Sequence, residues 1–200
     1  MDSNIRLPKT KVGYKSFYKI IEVSKELFRV KGVSTTSVNE IIEKAEVATG
    51  TFYNYFDDKL AVYKYLLDDY STIIRKRIYD AIRTVETRYE KERIGIKTFL
   101  EFAREDKLSY RIIWESLFID QRLFVNYYTN FSNAYVNQLA YAVKGGQIKD
   151  NIDLKTLSFM LMGIANFVGL QVVFEGDLSD EELDKITDQI MYVLKNGMFT

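Results

Sequence analysis

The stretch EVATGTFYNYFDDK, residues 46–59, places Gly50 and two threonines ahead of an aromatic cluster, then follows the cluster with two acids and a lysine. Phe52 and Phe56 are four positions apart, so on a helix they share one face and leave the other side chains outside. Acids are typical residues at the start of a helix, so a new helix should begin directly after the cluster. The pattern predicts a short helix over residues 49–55.

Two further helices are expected before this one. Gly32 follows two cations at the predicted end of the first helix, where glycine tolerates the left-handed conformation and cations complement the helix dipole. Thr36 or Ser37 can cap the second helix, with Glu40 at the spacing of a capping box. Three helices within residues 12–56, the last two joined by a short turn, are the layout of a helix-turn-helix.

In a helix-turn-helix the last helix enters the major groove of DNA, so its exposed side chains should be small or hydrogen-bonding. Hydroxyl groups bind phosphate, threonine methyls and asparagine amides read base edges, and a glycine lets the helix N-terminus approach a phosphate closely. The residues left for the groove or its rim are Thr49, Gly50, Thr51, Tyr53, Asn54 and Tyr55. Singly, each could be a packing or capping residue, and it is their joint spacing that favours DNA.

The run GVSTTSVNEIIEKAEVATGTFYNYFDDK, residues 32–59, resembles the DNA-binding domain of the TetR family of bacterial transcriptional repressors. The family pattern is met in order by Val47, Gly50, Phe52, Tyr53, Tyr55, Phe56 and Lys59. The resemblance implies that phosphate contacts come from Thr36, Ser37, Tyr53 and Lys59. It implies that the groove is faced by Thr49, Gly50, Thr51, Asn54 and Tyr55. Thr49 stands where many members carry lysine, so the bound DNA sequence cannot be copied from a relative.

The rest of the chain has apolar positions at helical spacing and only 1 proline, which predicts an all-α fold of about nine helices. We expect a helix-turn-helix DNA-binding domain over residues 1–58 and a helical effector-binding and dimerisation domain over residues 59–200. The fourth helix should run toward Arg88, with Ile73 on its buried face. Later helices are expected near residues 92–105, 109–118, 121–144, 153–174 and 180–197.

Residue usage excludes several kinds of site. The chain has 0 cysteines and 0 histidines, which removes disulfides, thiolate chemistry and the commonest general base and metal ligand. Carboxylate clusters for Ca²⁺ or Mg²⁺ are the remaining metal option, and no metal or cofactor is expected. An enzyme would need its acid and base from Asp, Glu, Lys and Tyr alone. No such cluster stands out, so no catalytic residue is predicted.

The N-terminal segment is basic although the chain has a formal net charge of +0. Residues 1–31 hold 8 Lys or Arg against the acids Asp2, Glu22 and Glu26, a balance of +5. This charge is compatible with a polyanion partner and also with a solvated helix face. The N-terminus lacks the apolar stretch of a secretory signal, and no run of about 18 uncharged apolar residues is apparent. We therefore expect a cytoplasmic protein with no membrane partner.

The second domain is rich in aromatic residues, some of which must form its core. Pockets between helices are apolar with a few polar groups, so the same residues are candidates for an effector site. The predicted apolar wall is Trp114, Phe118, Tyr127, Tyr128, Phe131 and Phe167. The predicted polar anchors are Arg111 and Asn166.

The last two helices carry a separate prediction. The first of them is apolar on most sides, so it should be buried on most sides, which indicates a partner surface. A four-helix interface between two copies of the chain would supply it. The predicted interface residues are Leu161, Ile164, Val168, Val172, Ile186, Ile190 and Leu194.

These features predict a homodimeric regulator that binds double-stranded operator DNA and responds to a small-molecule effector. The resemblance favours a repressor that an apolar or amphipathic effector releases from its operator. Two alternatives stay open: a helical dimeric adaptor that binds another protein, and an activator that needs its ligand in order to bind DNA.

Overall fold

The structure is a computed structural model that describes residues 5–198, apart from the side chain of Ser109. Asp2, which was counted in the basic segment, lies outside the described residues. The described chain forms nine α-helices, as the sequence predicted, and a single bridge between Ile5 and Phe56. In chain order the helices are α1 (Lys11–Lys31), α2 (Val38–Ala45), α3 (Thr49–Tyr53), α4 (Lys59–Ile82), α5 (Arg88–Glu105), α6 (Lys107–Ile119), α7 (Gln121–Lys144), α8 (Leu154–Glu175) and α9 (Asp180–Asn196).

The chain divides into two compact units, Met1–Tyr70 and Ser71–Thr200. The division falls inside α4, whereas the boundary expected from sequence lies at the start of that helix. The expected boundary after residue 58 stays a prediction.

Two helix ends differ from those expected. α3 stops at Tyr53. The Asn54 N–H still bonds four residues back to the Gly50 carbonyl at 2.9 Å, but the Tyr55 N–H bonds three residues back to the Phe52 carbonyl at 3.0 Å and tightens the turn. α4 ends at Ile82 and does not reach Arg88, because Thr87 caps a new helix there and accepts from the Glu90 N–H at 3.2 Å.

In the first unit, α1 begins at an N-cap and ends at a glycine. The Thr10 hydroxyl accepts from the Gly13 N–H at 3.1 Å, and Gly32 closes the helix with a φ of 82° that disfavours other residues. One face of α1 is buried at helical spacing. Its members are Phe17, Ile20, Ile21, Ser24, Leu27 and Phe28.

α2 is short and is held at both ends. Its N-cap is Ser37, whose hydroxyl accepts from the Glu40 N–H at 3.2 Å. The Glu40 carboxylate also receives a hydrogen bond from Lys31, which lowers the pKa of Glu40. At the other end Glu46 adopts a left-handed φ of 48° and turns the chain into α3.

In the second unit, α5 packs against α6, α8 and α9, and its Leu100 is fully buried. A capping box formed by Ser179 and Glu182 starts α9. Ile73, expected on the buried face of α4, is 40% exposed. The helix turns its neighbour Ile74 inward instead, where it joins the core with Val172.

α8 is long and apolar enough to cross a membrane by length and composition alone. The expectation that no such segment exists was therefore wrong. A core helix of a soluble protein passes the same test, and one such helix is weak evidence for a membrane.

Candidate nucleic-acid interface and ligand cavity

α3 presents two different faces. Phe52 is fully buried, whereas Thr49, Gly50, Tyr53 and Asn54 are exposed. The exposed set is small or hydrogen-bonding, as a helix that lies in a DNA groove requires. Two further predicted groove residues, Thr51 and Tyr55, are half-buried.

Aromatic contacts hold α3 and the turn after it against α1. The Phe56 ring stacks on Phe17 with centroids 5.0 Å apart, and the Tyr55 ring meets Phe17 edge-on at 5.5 Å. Such pairs contribute about 0.5–1.5 kcal/mol each beyond the area they bury. Because its ring is committed to this packing, Tyr55 is left with its hydroxyl for a polar contact.

Arg6 is a functional candidate that the sequence reasoning missed. Its guanidinium donates to the Tyr53 carbonyl at 2.9 Å and the Asn54 carbonyl at 3.2 Å, at the C-terminus of α3. It also pairs with Asp57 at 2.6 Å. A cation complements the negative end of a helix, so Arg6 stabilises the short α3. No local pattern predicts a contact across 47 residues of chain.

The two residues expected to touch phosphate from the start of α2 lie in different surroundings. Thr36 is 1% exposed and its hydroxyl donates to the Gly32 carbonyl at 2.8 Å. This corrects the assignment of Thr36, because its side chain faces the protein interior. Ser37 is exposed and remains a candidate.

Lys59 makes internal contacts. Its ammonium group donates to the Ser34 carbonyl at 2.8 Å and the Thr36 carbonyl at 2.7 Å, and its side chain is half-buried. Lysine has three N–H donors, so these bonds use two of them. The structure gives Lys59 a role in holding the loop before α2, beside the DNA-backbone contact that the resemblance implies.

Most cations of the basic segment are already paired. The residues with a carboxylate partner are Arg6, Lys19, Arg29 and Lys31. Lys25 lies over the Tyr70 ring. The exposed residues Lys9, Lys11 and Lys15 have no ion pair within residues 5–198. The unneutralised charge therefore gathers at the start of α1.

The second unit contains an apolar cavity of about 290 Å³. Its wall comes from the end of α4 and from α5, α7 and α8. The apolar part of the lining is Ile78, Ile82, Ile96, Phe99, Tyr127, Phe131, Leu161 and Met162. A cavity of this kind fits a small molecule or a chain with few polar groups.

One end of the cavity carries a buried ion pair. Arg88, 7% exposed, donates to the Glu92 carboxylate at 2.7 Å and lies over the Tyr135 ring. The Tyr135 hydroxyl also donates to Glu92, and burial followed by that carboxylate's charge raises the pKa of Tyr135. Each group of this network has a partner, so the network adds no unmatched charge to the cavity wall.

A further polar group of the wall is Asn166. Its side-chain oxygen accepts from the Tyr128 hydroxyl at 3.0 Å, and its NH₂ donates to the Met162 carbonyl at 2.7 Å. Burial raises the pKa of Tyr128 and raises that of Tyr127 to about 12, so both phenols are neutral donors at physiological pH.

Half of the predicted effector residues line this cavity. Those that do are Tyr127, Tyr128, Phe131 and Asn166. Those that do not are Trp114, Phe118, Phe167 and Arg111. Phe118 is 87% exposed, and Arg111 pairs with Glu115 along the surface of α6. Trp114, Phe118 and Arg111 lie on α6, which adds no residue to the cavity wall. Phe167 lies on α8 but on its exposed side, at 66% exposure.

A second cavity, of about 440 Å³, adjoins the first and is more polar. The two share the lining residues Tyr79, Ile82, Arg88, Lys91 and Gln138. The second adds Arg83, Glu86, Tyr141, Ala142 and Gln147. Among residues 5–198, no group of three or more carboxylates lies close enough to hold a metal ion.

The predicted dimer residues lie mostly on the inner side of α8 and α9. Val172 is fully buried and Leu161 is 6% exposed, so both belong to the interior of one protomer. The half-buried residues that pack against the same core are Val168, Ile186, Ile190 and Leu194. Ile164 is half-buried. The exposed apolar residues of α8 are instead Phe159, Met160, Phe167 and Phe174.

Sequence comparison finds one family. The model of the bacterial regulatory proteins of the tetR family matches residues 20–66. The HTH-type transcriptional activator FasR of Mycolicibacterium smegmatis is 23% identical over 103 residues, which are 52% of this chain and 47% of that protein. The chain spans about half the length of the curated relatives it matches.

Solved structures share the fold. A protein assigned to the TetR-family transcriptional regulators of Syntrophomonas wolfei has a TM-score of 0.81 at 24% identity, over 94% of this chain and 98% of that one. The transcriptional regulator FadR of Bacillus subtilis, in complex with stearoyl-CoA, has a TM-score of 0.76 at 20% identity, over 92% and 100%. At these identities the likeness shows the arrangement of helices.

Proposed function

We propose that this chain, which belongs to the tetR family of bacterial regulatory proteins, is a cytoplasmic, homodimeric transcriptional repressor that binds operator DNA through α3. A small apolar or amphipathic molecule in the cavity of the second unit weakens that binding. The observation that carries the proposal is α3 itself, with Phe52 buried beneath an exposed row of Thr49, Gly50, Tyr53 and Asn54.

The proposed DNA contacts are of two kinds, those to base edges and those to phosphate. Thr49 and Asn54 reach base edges, while the Tyr53 hydroxyl and the exposed Ser37 bind phosphate. The unpaired lysines at the start of α1 add sequence-independent attraction, which salt weakens. Arg6 acts indirectly, because it holds the C-terminus of α3.

α4 offers a physical route from ligand to DNA contact. It is one continuous helix whose first residue, Lys59, holds the loop before α2 and whose last turns place Ile78 and Ile82 in the cavity wall. A molecule bound against Ile78 and Ile82 therefore acts on the helix that holds this loop. Its effect on DNA affinity is limited by its difference in affinity between the DNA-bound and free conformations.

The relatives support a regulator and not an enzyme, and FadR with stearoyl-CoA supports an amphipathic effector. FasR is named an activator, which favours a ligand-dependent activator as the second candidate. The sign of the ligand's effect on DNA affinity distinguishes the two.

The test is binding of the purified protein to the intergenic DNA beside its own gene across a salt series. We expect affinity to fall steeply as salt rises, because phosphate contacts release counterions. The double substitution Tyr53→Phe, Asn54→Ala should lower affinity roughly tenfold or more.

The matched control is Tyr89→Phe, Asn151→Ala, which removes the same groups from the second unit. Tyr89 and Tyr53 are both 45% exposed, so the two pairs present comparable surface changes. An equal loss of DNA affinity in both variants would reject α3 as the DNA-binding helix. So would a DNA affinity that does not change between low and physiological salt.

A further inference from the structure

Resting on the proposed function, we infer that the two adjoining cavities of the second unit form one bipartite site for a single-chain amphipathic anion. The tail occupies the apolar cavity, and the anionic head lies in the polar groove, where Arg83 and Lys91 meet it. We call the 290 Å³ space the tail chamber and the 440 Å³ space the head groove.

The two spaces share part of their wall. Tyr79, Ile82 and Lys91 line both of them, so the spaces lie side by side, and the inference joins them into one site. The chamber holds roughly ten heavy atoms, at about 30 Å³ for each water-sized group. A chain of medium length would fill it, with its head emerging beside Lys91.

The lining of the tail chamber favours an apolar tail over a polar group. Several of its polar side chains already have partners, since Arg88 is paired with Glu92 and Tyr128 with Asn166. Arg75, a further cation of the wall, lies over the Phe131 ring. A polar ligand group placed there would have to break one of these buried bonds, and a buried polar group without a partner is costly. Methylene groups leave the bonds in place and gain from burial.

The head groove carries excess positive charge. Its charged lining is Arg83, Arg88 and Lys91 against Glu86. Arg88 is neutralised by Glu92, whereas Arg83 and Lys91 have no carboxylate partner within residues 5–198. Lys91 also lies in the first turn of α5, where the positive end of the helix dipole attracts anions.

This charge arrangement discriminates between ligand classes. A cationic amphipath would meet two unpaired cations at the mouth of the chamber, and a neutral one would gain nothing from them. An anionic head gains both contacts, and the groove volume of about 440 Å³ leaves room for a head larger than a carboxylate. Both a free fatty acid and its thioester with a phosphate-bearing carrier have this chemistry.

Calorimetry on the full chain tests the assignment directly, with ligands of one tail length kept below their micelle concentrations. The probes are decyl phosphate, decanoate, decanoyl-CoA, decan-1-ol and decyltrimethylammonium. We expect the anions to bind roughly tenfold tighter than the alcohol and the ammonium compound to bind more weakly than the alcohol. Tighter binding of decanoate than of decanoyl-CoA would identify a free acid as the ligand, and the reverse order would identify its thioester. Either result supports the inference.

Two variants locate the head and the tail. Arg83→Gln, Lys91→Gln should bring decyl phosphate to the affinity of decan-1-ol, whereas Lys76→Gln, Lys155→Gln, an equal loss of charge from exposed sites outside both cavities, should leave it unchanged. Gly95→Leu should shorten the preferred tail, because a Cβ at Gly95 lies 3.6 Å from Ile78, an ordinary contact beside the chamber.

The inference is overturned if the alcohol binds as tightly as the anions, or if both charge variants behave alike. The same preparations are assayed on the DNA fragment. If the protein still bound DNA but showed no preference for anions, the anionic ligand class would be rejected and the proposed regulator function would not. Anion binding by a protein that binds no DNA would reject the proposed function and leave the bipartite site.

Discussion

The ammonium group of Lys59 lies 2.7 Å from the carbonyl oxygen of Thr36, the residue before the N-cap of α2. The same group donates to the Ser34 carbonyl at 2.8 Å. One side chain at the start of α4 thus satisfies two backbone acceptors in the loop that positions α2. The loop between α1 and α2 is therefore tied to the start of α4.

Lys59→Ala should therefore destabilise the fold as well as weaken DNA binding. Hydrogen bonds to charged groups contribute about 1.5–3 kcal/mol each, and the loop carbonyls would regain only part of this from water. We expect the free energy of unfolding to fall by about 1–3 kcal/mol in urea denaturation. The exposed Lys15→Ala in α1 is the control and should change stability by less than about 0.5 kcal/mol. A Lys59→Ala protein as stable as the control would leave Lys59 with a DNA role alone.

Gly50→Ala should raise the stability of the fold while it lowers DNA affinity. A Cβ at Gly50 would meet nothing within 4 Å, so alanine costs no packing and favours the helix by up to about 1 kcal/mol. The same methyl lies on the exposed face of α3 and should lower DNA affinity. Thermal unfolding and DNA titration of one preparation check both halves. Gly32→Ala is the contrast, because its φ of 82° makes alanine destabilising by about 1 kcal/mol.

Asp184→Asn should reduce the acid sensitivity of the second unit. A hydrogen bond from Lys97 at 2.7 Å, aided by Arg93, lowers the pKa of Asp184 below its ordinary value of 3.8. The stabilisation is therefore present above that value and is lost as pH falls through the lower folded-state pKa. Denaturation at about pH 6 and about pH 3 should show a smaller drop for the variant than for the wild type.

The control for this pH dependence is Asp80→Asn, an exposed position on α4 without an ion pair among the described residues. It should follow the wild-type profile. If the stability of Asp184→Asn fell with pH in parallel with that of the wild type, the link between α5 and α9 would not depend on this carboxylate.

Local rules were sufficient for several helix caps and for the buried face of α3. Gly32 and Ser37 lie where capping chemistry placed them, and the burial of Phe52 follows from its spacing to Phe56. These features depend on neighbours a few positions away along one helix. Arg6 was missed because its contact with Tyr53 spans 47 residues of chain. Thr36 was misjudged because tertiary packing buries it to 1% exposure.

The effector and dimer residues show a second limit of prediction from sequence. α8 is apolar nearly all round, so periodicity gives no face to choose. Leu161 and Val172 point inward, while Phe167 is 66% exposed and Phe174 is 78% exposed. Which side packs on α5 is decided by tertiary shape, such as the close approach of Gly169 to Phe99 and Tyr110, where a Cβ would come within 3.2 Å of both rings.

That outer side of α8 leads to the last prediction. Met160, Phe167 and Phe174 follow one another at seven-residue spacing and are all more than half exposed. A stripe of exposed apolar residues on one helix is typical of a protein interface, and a second copy of the chain would cover it in a two-fold contact. We therefore expect Phe167→Glu, Phe174→Glu to place four like charges in that contact and prevent dimerisation.

Sedimentation of the wild type should show a dimer, and that of the double variant a monomer with unchanged helix content by circular dichroism. Val30→Glu, at a residue of α1 that is also 66% exposed, is the control for adding a charge to an exposed apolar site and should remain dimeric. A dimeric double variant would move the interface to another surface. A monomeric variant that also loses operator affinity would connect the two sites, because two copies of α3 then have to bind adjacent major grooves together.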